Sequence, residues 1–290
     1  MTQEQKQQIS DQLRAYVEQK GSGNKAAASM NGVSSATISK VLAGKWETIS
    51  DEMWRSVAAQ CGHKAEGWQL VPTRAYKAMT FALENAQRDS LVMAVIGEAG
   101  SGKTEAIKNY TAGGRNVYHL VCSEYWNRRT FMAKVLQSMG VTYSGNTVAD
   151  MMETIVDTLK RKESPLIVLD EADKLSDQVL YFFISLYNQL EDHCGIIMTA
   201  TKYLRARIEK GLRLNRKGYA EIFSRIGRKF VELPLLNSED VAAVCVANGV
   251  SEAKAINGIV DEAEGDLRRV KRSVWGARRT AEQREKGGAR

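Results

Sequence analysis

One stretch of eight residues, 97–104, constrains the fold of this chain more than any other feature. Its sequence is GEAGSGKT, which matches the phosphate-binding pattern G-x-x-x-x-G-K-[S/T] at every position. It follows the apolar run 91–96 and precedes a segment of helical composition, 105–110. A strand, a loop and a helix in this order let backbone N–H groups surround phosphates at a helix N-terminus. The predicted nucleotide-binding residues are Gly97, Glu98, Ala99, Gly100, Ser101, Gly102, Lys103, Thr104 and Glu105.

A second motif supplies the remaining chemistry. Residues 166–169 are four apolar residues that run directly into Asp170 and Glu171, which predicts a buried parallel strand with carboxylates at its C-terminal end. Open α/β sheets bind ligands at that end. An acidic helix N-cap after a strand would give the same local sequence. Beside the loop, we interpret the pair as the hydrolytic half of a site for nucleoside triphosphates.

Each of the four polar side chains has a predicted role. Lys103 neutralises the β- and γ-phosphate oxygens, and the Thr104 hydroxyl binds Mg²⁺. Asp170 holds the Mg²⁺ hydration shell, and Glu171 polarises the attacking water, because water needs a base that orients it and accepts its proton. The two motifs together predict hydrolysis of a nucleoside triphosphate.

Composition narrows the class of protein. The chain has 290 residues, 43% of them hydrophobic, which is ordinary for a soluble globular protein. No apolar run reaches the roughly 20 residues of a membrane helix, and the polar start is unlike a signal peptide, so we expect a cytoplasmic protein. The four cysteines and three histidines show no disulfide or metal-ligand spacing, so we expect them to be structural.

Basic residues are concentrated in two segments. The net charge is +7, but residues 202–229 alone contribute +8 and residues 268–290 contribute +7, so the rest of the chain sums to −8. This distribution favours binding of a polyanion such as DNA, although solvated helix faces have a similar composition. The candidate DNA contacts in the first segment are Lys202, Arg205, Arg207, Lys210, Arg213, Arg216 and Lys217.

The first 65 residues predict a separate helical module. Residues 24–30 form an alanine-rich helix, residues 31–33 a tight turn with a glycine, and residues 34–42 a second helix. The pattern resembles a helix-turn-helix of the phage-repressor type, although a helical module that docks on protein would share it. The candidate contacts to DNA on the second helix are Ser35, Thr37 and Lys40.

The rest of the chain alternates helices and strands. After a linker over 64–72, we expect one helix over 73–88 before the nucleotide strand. Beyond the phosphate loop we predict strands over 116–122, 195–201 and 230–233 and helices over 128–139, 148–161 and 179–190. This alternation predicts a parallel α/β sheet.

Three further motifs resemble a known family. Residues 199–201 (TAT), 223–228 (FSRIGR) and 265–269 (GDLRR) resemble, in that order, the sensor 1, arginine-finger and sensor 2 elements of AAA+ ATPases. The helix-turn-helix, the loop sequence ending in GKTEA, the acidic DEAD strand end at 170–173 and the FSRI segment together resemble the Mu B transposition protein family. The resemblance covers approximately residues 24–275.

The resemblance implies a fold and its division into domains. It implies an AAA+ P-loop NTPase whose parallel β-sheet is flanked by helices and carries a small helical lid, preceded by an all-α helix-turn-helix domain. The expected domains are 1–65 (helix-turn-helix), 66–235 (AAA+ core) and 236–290 (lid and basic tail).

The resemblance also implies roles for single residues. Arg225 is the implied finger that reaches the γ-phosphate bound by a neighbouring subunit, with Arg228 as the alternative; a structural arginine in a basic stretch remains the competing interpretation of Arg225. Arg268 is the implied sensor 2. Thr199 and Thr201 are the candidates for sensor 1, where a hydroxyl replaces the commoner asparagine and predicts slow hydrolysis.

The resemblance implies a function as well. ATP and Mg²⁺ are the implied cofactors, and double-stranded DNA, a transposase and further copies of the chain, in a ring or helical filament, are the implied partners. The protein would assemble on target DNA and activate the transposase. A helicase loader or replication initiator with the same core, and an ATP-switched transcriptional regulator, are the alternatives.

Overall fold

A computed structural model describes residues 3–61, 68–142 and 147–287. Its centre is a five-stranded sheet in the order β2-β3-β4-β1-β5, and all neighbouring strands are parallel. The strands are β1 (Val92–Ile96), β2 (Val117–Val121), β3 (Leu166–Asp170), β4 (Gly195–Ala200) and β5 (Phe230–Glu232). The predicted parallel α/β sheet is therefore confirmed.

Helices cover both faces of the sheet, as the unbroken apolar strands require. Two helices pack on one face, α5 (Arg74–Arg88) and α6 (Lys103–Gly113). The other face packs against the larger core, which is formed by α7 (Arg128–Ser138), α8 (Val148–Lys160), α9 (Asp177–Leu190), α10 (Lys202–Arg213) and α11 (Tyr219–Arg225). Strand β3 is buried along its whole length, so its last residue, Asp170, is delivered to the C-terminal edge of the sheet without exposure to solvent.

Four helices and a short 3₁₀ turn precede the sheet and share a hydrophobic core of their own. The helices are α1 (Gln3–Lys20), α2 (Gly23–Ser29), α3 (Ser35–Leu42) and α4 (Asp51–Gln60). Gly32 has φ +68° in the turn between α2 and α3, the conformation predicted for that glycine. Trp54 is fully buried and packs edge to face on Trp46, with ring centroids 5.6 Å apart.

The helix-turn-helix region contacts the sheet domain through α1 and α2. The Lys20 ammonium donates a hydrogen bond of 2.6 Å to the Ser138 carbonyl at the end of α7, and burial lowers the pKa of Lys20 to about 8. Gln137 donates to the side chain of Asn31 at 2.9 Å. No such contact was predicted from the sequence.

Three helices close the chain: α12 (Ser238–Ala247), α13 (Ala253–Ala263) and α14 (Leu267–Gly287). They form a fourth cluster of buried apolar side chains, and Trp68 and Val71 pack against it. Of the predicted linker over 64–72, residues 68–72 contain no helix or strand but are held against these helices, while 64–67 lie outside the described residues. The reason is tertiary: the backbone of Gln69 exchanges two hydrogen bonds with the buried Asn248 side chain, at 2.7 and 3.0 Å.

The four cysteines are buried, and none of them forms a disulfide. In the described part of the chain, no group of three or more His, Cys, Asp and Glu side chains could hold a metal ion. None of the helices within these ranges is long and apolar enough to cross a membrane.

Candidate nucleotide site

The phosphate loop joins β1 to α6 at the C-terminal edge of the sheet. Gly100 and Gly102 have φ of +75° and +91°, a conformation that side chains with a Cβ rarely adopt, so the loop depends on glycine at both positions. The Lys103 ammonium lies across the loop and donates to the carbonyls of Gly97 and Glu98 at 2.7 and 2.8 Å. Burial lowers the pKa of Lys103, and the nearby Asp170 and Asp173 carboxylates oppose this effect.

Asp170 is held as a buried anion. Its carboxylate accepts hydrogen bonds from Thr104 Oγ1 at 2.7 Å and from Thr199 Oγ1 at 2.5 Å, and His119 Nε2 lies 3.5 Å away. Burial acts to raise the pKa of Asp170, but the nearby His119 ring and the hydrogen bonds from Thr199 and Thr104 outweigh it and lower this pKa to about 2. Thr104 and Asp170 therefore present a hydroxyl and an ionised carboxylate side by side, a donor set that suits Mg²⁺.

The two candidate sensor threonines have different positions. Thr199 is fully buried beneath Asp170, whereas Thr201 lines the cavity beside the phosphate loop and donates to Asp173 Oδ2 at 2.7 Å. Thr201 also caps the N-terminus of α10. Of these two threonines, Thr201 places its hydroxyl in the cavity, while Thr199 donates its hydroxyl to Asp170.

Glu171 follows β3 in a left-handed conformation, with φ +58°. Its side chain lines the cavity and accepts a hydrogen bond of 2.5 Å from the Lys174 ammonium one turn later. A non-glycine residue in this conformation is uncommon and turns the chain sharply at the edge of the sheet.

A cavity of about 510 Å³ surrounds these groups, large enough for a nucleotide. The phosphate loop and the end of β3 line it, together with residues 68–71 and the lid side chains Leu267, Arg268 and Lys271. The Lys271 ammonium lies 5.2 Å from the ring centroid of Trp68. The Trp68 ring and the apolar side chains Leu70 and Val71 suit a nucleobase.

The lid contacts the phosphate loop directly. Leu267 N–H donates to the Gly100 carbonyl at 3.0 Å, and a Cβ on Gly100 would lie only 1.9 Å from Asp266 Oδ1. Glycine at position 100 is thus required by the approach of the lid as well as by its φ.

Sequence reasoning missed Trp68, His119, Lys174 and Lys271. Trp68 lay in the predicted linker and Lys271 in the basic tail, and nothing local links either one to the nucleotide. His119 was expected to be structural, although its position on the strand next to β3 could have suggested contact with Asp170.

Comparison with known proteins agrees with this geometry. The AAA domain family matches residues 86–208, which contain the phosphate loop and the acidic strand end. This chain therefore contains an AAA domain and is an ATPase. Crystallised Cdc6p from Pyrobaculum aerophilum is similar in fold, with a TM-score of 0.52 at 15% identity, over 73% of this chain and 62% of that chain, which is under two thirds of its length.

Two phage proteins resemble the ATPase over nearly its full length. The proteins named ATP-dependent target DNA activator B of Escherichia phages D108 and Mu are each 24% identical to it, over 93% of this chain and 87% of the relative. The Mu-like prophage FluMu DNA transposition protein B of Haemophilus influenzae is also 24% identical, over 73% of each chain. The resemblance to the Mu B transposition protein family is confirmed.

The two arginines of residues 223–228, Arg225 and Arg228, do not line the nucleotide cavity. Arg225 ends α11, donates to Asn188 Oδ1 at 3.1 Å and lies 5.4 Å from the centroid of the Tyr187 ring. Arg228 follows in a left-handed conformation with its side chain exposed. Arg268, by contrast, lines the nucleotide cavity.

Three predicted DNA contacts form ion pairs within the ATPase itself, and two of them are Lys202 and Arg205. Lys202 pairs with Glu98 at 2.6 Å, and Arg205 pairs with Glu209 at 2.8 Å and with Glu232. These two cations remain partly exposed, so their pairs are weak.

The prediction of Arg207 as a DNA contact does not fit the structure. Its side chain is only 14% exposed, pairs with Asp177 and donates to the Leu175 carbonyl at 2.6 Å. Because Asp177 and the carbonyl occupy the guanidinium, Arg207 joins α10 to the start of α9 rather than facing solvent.

The other predicted DNA contacts are accessible. Lys210, Arg213, Arg216 and Lys217 are exposed at the end of α10 and in the loop before α11. Ser35 and Lys40 are exposed on α3, and Thr37 is half-buried because its hydroxyl lies 2.9 Å from the capping Ser34.

Proposed function

We propose that this ATPase assembles on double-stranded DNA in its ATP-bound state, delivers that DNA to a transposase and activates the transposase. The observation that carries the proposal is the full-length similarity to proteins named ATP-dependent target DNA activators, combined with a complete nucleotide site. Hydrolysis then controls how long the assembly persists. The protein acts in the cytoplasm of the host cell.

The proposed chemistry uses side chains that the fold brings to one cavity. Lys103 leaves the carbonyls of its own loop to neutralise the β- and γ-phosphates, and Arg268 approaches the phosphates from the lid. Mg²⁺, held through Thr104 and Asp170, supplies charge neutralisation on the phosphate oxygens. Glu171 accepts a proton from the attacking water, and Thr201 orients that water.

The proposed assembly needs a residue from a second subunit. Arg225 lies outside its own nucleotide cavity, so it is free to complete the site of a neighbour by turning away from Tyr187 and Asn188. A guanidinium suits this role because it stays charged and forms two parallel hydrogen bonds to phosphate oxygens. Because Arg225 of one subunit then contacts the ATP bound by the next, ATP binding and contact between subunits occur together.

The proposed DNA contact is directed mainly to phosphates. Lys210, Arg213, Arg216 and Lys217 form one exposed basic segment, since residues 210–217 contain no acidic residue, and α3 offers Ser35 and Lys40. Binding through such residues is weakly specific for sequence and falls steeply as salt rises.

The decisive test is Lys103→Ala, with Lys160→Ala as a matched control because Lys160 is an exposed lysine on α8. We expect Lys103→Ala to abolish ATP-dependent DNA binding and assembly, measured by anisotropy and by sedimentation with a non-hydrolysable ATP analogue. The control should behave as wild type. Undiminished assembly of Lys103→Ala would refute the proposed mechanism.

Two further assays separate the alternatives. Arg225→Ala should bind ATP as wild type does but lose hydrolysis, whereas wild-type turnover would make Arg225 a structural residue. Strand-transfer assays with a transposase should show activation that needs ATP. Capture of a replicative helicase with no effect on a transposase would instead favour a loader.

A further inference from the structure

A small cavity lies where the N-terminal helices meet the sheet domain. Its volume is about 40 Å³. We propose that this cavity binds a single phosphate group, either free in solution or part of a DNA backbone. The inference goes beyond the proposed function, because that function assigns no ligand to this edge of the molecule.

The cavity is separate from the nucleotide site. Asn116, Val117 and Tyr118 line it at the start of β2, whereas Val121, at the end of β2, lines the nucleotide cavity. Because a strand rises about 3.3 Å per residue, the two cavities open at opposite edges of the sheet. A ligand in the small cavity therefore does not occupy the ATP site.

The lining of the small cavity is basic. Three lysines line it, and among the residues that the structure describes no carboxylate does so. They are Lys20 at the end of α1, Lys25 in α2 and Lys162 just after α8. Within the described ranges, none of the three forms an ion pair, and the neighbouring Glu18 and Glu163 are exposed and do not line the cavity. This unbalanced positive charge favours an anion.

Lys20 is held in a fixed position inside the cavity wall. Its ammonium donates to the Ser138 carbonyl at 2.6 Å and lies 5.4 Å from the centroid of the Tyr16 ring. Burial lowers the pKa of Lys20 to about 8, because a buried ammonium loses hydration. An ammonium has three protons to donate, and the Ser138 carbonyl takes one of them. The others remain for the oxygens of an anion.

Contacts between the two domains fix the rest of the wall. Gln19 donates to the Gly114 carbonyl at 3.1 Å and also to the Thr111 carbonyl. The backbone of Lys25 packs so closely on Gly140 that a Cβ on this glycine would lie only 2.6 Å from the Lys25 carbonyl oxygen. A wall that is already formed lowers the entropic cost of holding a ligand.

Lysines at helix ends also have a purely structural role, since a cation in the last turn complements the helix dipole. That role accounts for Lys20 in the last turn of α1, and Lys160 fills it for α8. It does not account for Lys162, which lies beyond α8, or for Lys25, which lies in the first turn of α2, where a cation is unfavourable. Binding of an anion accounts for all three lysines that line the cavity.

The size of the cavity selects a small anion. Its volume exceeds the roughly 10–15 Å³ that one water needs, but it is far below that of the nucleotide cavity, about 510 Å³. A single tetrahedral phosphate group fits this range, and lysines bind phosphate as point charges from several directions.

The direct test titrates inorganic phosphate into the full chain carrying Lys103→Ala, in which the phosphate loop has lost its cation. We expect the Tm followed by circular dichroism to rise as phosphate replaces chloride at constant ionic strength, by roughly 3–6 °C at about ten times the Kd. Lys162→Gln or Lys25→Gln in this background should weaken the Kd about tenfold, because each removes a charged hydrogen-bond donor. Lys160→Gln is the matched control, since Lys160 is exposed at the same helix end and does not line the cavity.

A second measurement identifies the source of the phosphate, in the chain with Lys103 intact and with a non-hydrolysable ATP analogue. If a DNA phosphate enters the cavity, Lys162→Gln should reduce the slope of log K against log salt by about 0.9, and Lys160→Gln should leave it unchanged. A wild-type slope for Lys162→Gln, together with the effect of inorganic phosphate on Tm, assigns the cavity to free phosphate.

Two outcomes would overturn the inference. One is a Tm that phosphate raises no more than chloride does, combined with a wild-type salt slope for Lys162→Gln. The other is a rise in Tm that persists in full in both lysine variants, because phosphate would then bind elsewhere. The phosphate titration uses neither DNA nor a transposase, so failure of the proposed function would leave its result unaffected.

Discussion

The clearest departure from sequence-based expectation is Arg207, so the perturbation Arg207→Gln tests the structure most directly. The guanidinium donates to Asp177 Oδ1 from Nε at 3.1 Å and again from Nη2, and to the Leu175 carbonyl at 2.6 Å. Hydrogen bonds to charged groups contribute about 1.5–3 kcal/mol. Asp177 is 43% exposed and regains water when the arginine is lost, so we expect a loss of about 2 kcal/mol.

This loss is measurable as a lower melting temperature. For a domain of roughly 150–250 residues, 1 kcal/mol corresponds to about 2–4 °C, so the Tm followed by circular dichroism should fall by about 4–8 °C. The DNA affinity of the Arg207→Gln variant should depend on salt as that of the wild type does, because Asp177 already neutralises the charge of Arg207. The matched control is Arg213→Gln on the exposed end of the same helix. It should leave the Tm unchanged and reduce the slope of log K against log salt by about 0.9.

The reverse pattern would refute this reasoning. If Arg207→Gln melted as wild type does and lost about 0.9 of the salt slope, Arg207 would contact DNA phosphate and its bonds to α9 would contribute nothing.

Three further predictions concern the nucleotide site. Trp68→Ala should weaken ATP binding by about 1–3 kcal/mol if the ring stacks on the base, measured by calorimetry, while Trp275→Ala, half exposed on the other side of Lys271, should not. Gly100→Ala should lose ATP binding, since its Cβ meets Asp266 and its φ is +75°; wild-type affinity would mean that the lid does not close as described. Because the pKa of Asp170 is lowered to about 2 from 3.8, its ionised form should stabilise the fold by about 2 kcal/mol at neutral pH, a contribution lost as the pH falls from about 4 to 2. Urea unfolding at pH 7 and pH 3 should therefore show Asp170→Asn less stable than wild type at pH 7 and closer to it at pH 3.

The parts of the fold that could be predicted from the sequence are those that depend on residues close together in the chain. The phosphate loop and β3 follow from short patterns in which each residue type has a local reason, and the sheet follows from the alternation of elements. The two helices of the helix-turn-helix follow likewise from Gly32 and the caps around it.

Long-range pairs could not be predicted in this way. Gln69 and its neighbours were expected to form a linker, because the Asn248 side chain that bonds the Gln69 backbone lies 179 residues away. Arg207 was expected to face DNA because its partner Asp177 is 30 residues earlier on another helix. In both cases the composition of a segment gives its charge and its number of glycines and prolines. Only the packing of the folded chain decides whether its polar groups already have hydrogen-bond partners.

The lid connects the nucleotide cavity to the proposed assembly of subunits. The cavity is complete only when three separate segments meet: the phosphate loop, residues 68–71 and the start of α14. Of these, residues 68–71 and α14 are already joined through Trp68 and the lid core, and the bond from Leu267 to Gly100 ties them to the loop. A nucleotide that contacts Lys103 and Arg268 together would add to this bond and hold the lid more firmly against the sheet. In the proposed assembly, Arg225 ends a helix on the sheet domain, so a firmly held lid would present one defined geometry to a neighbouring subunit.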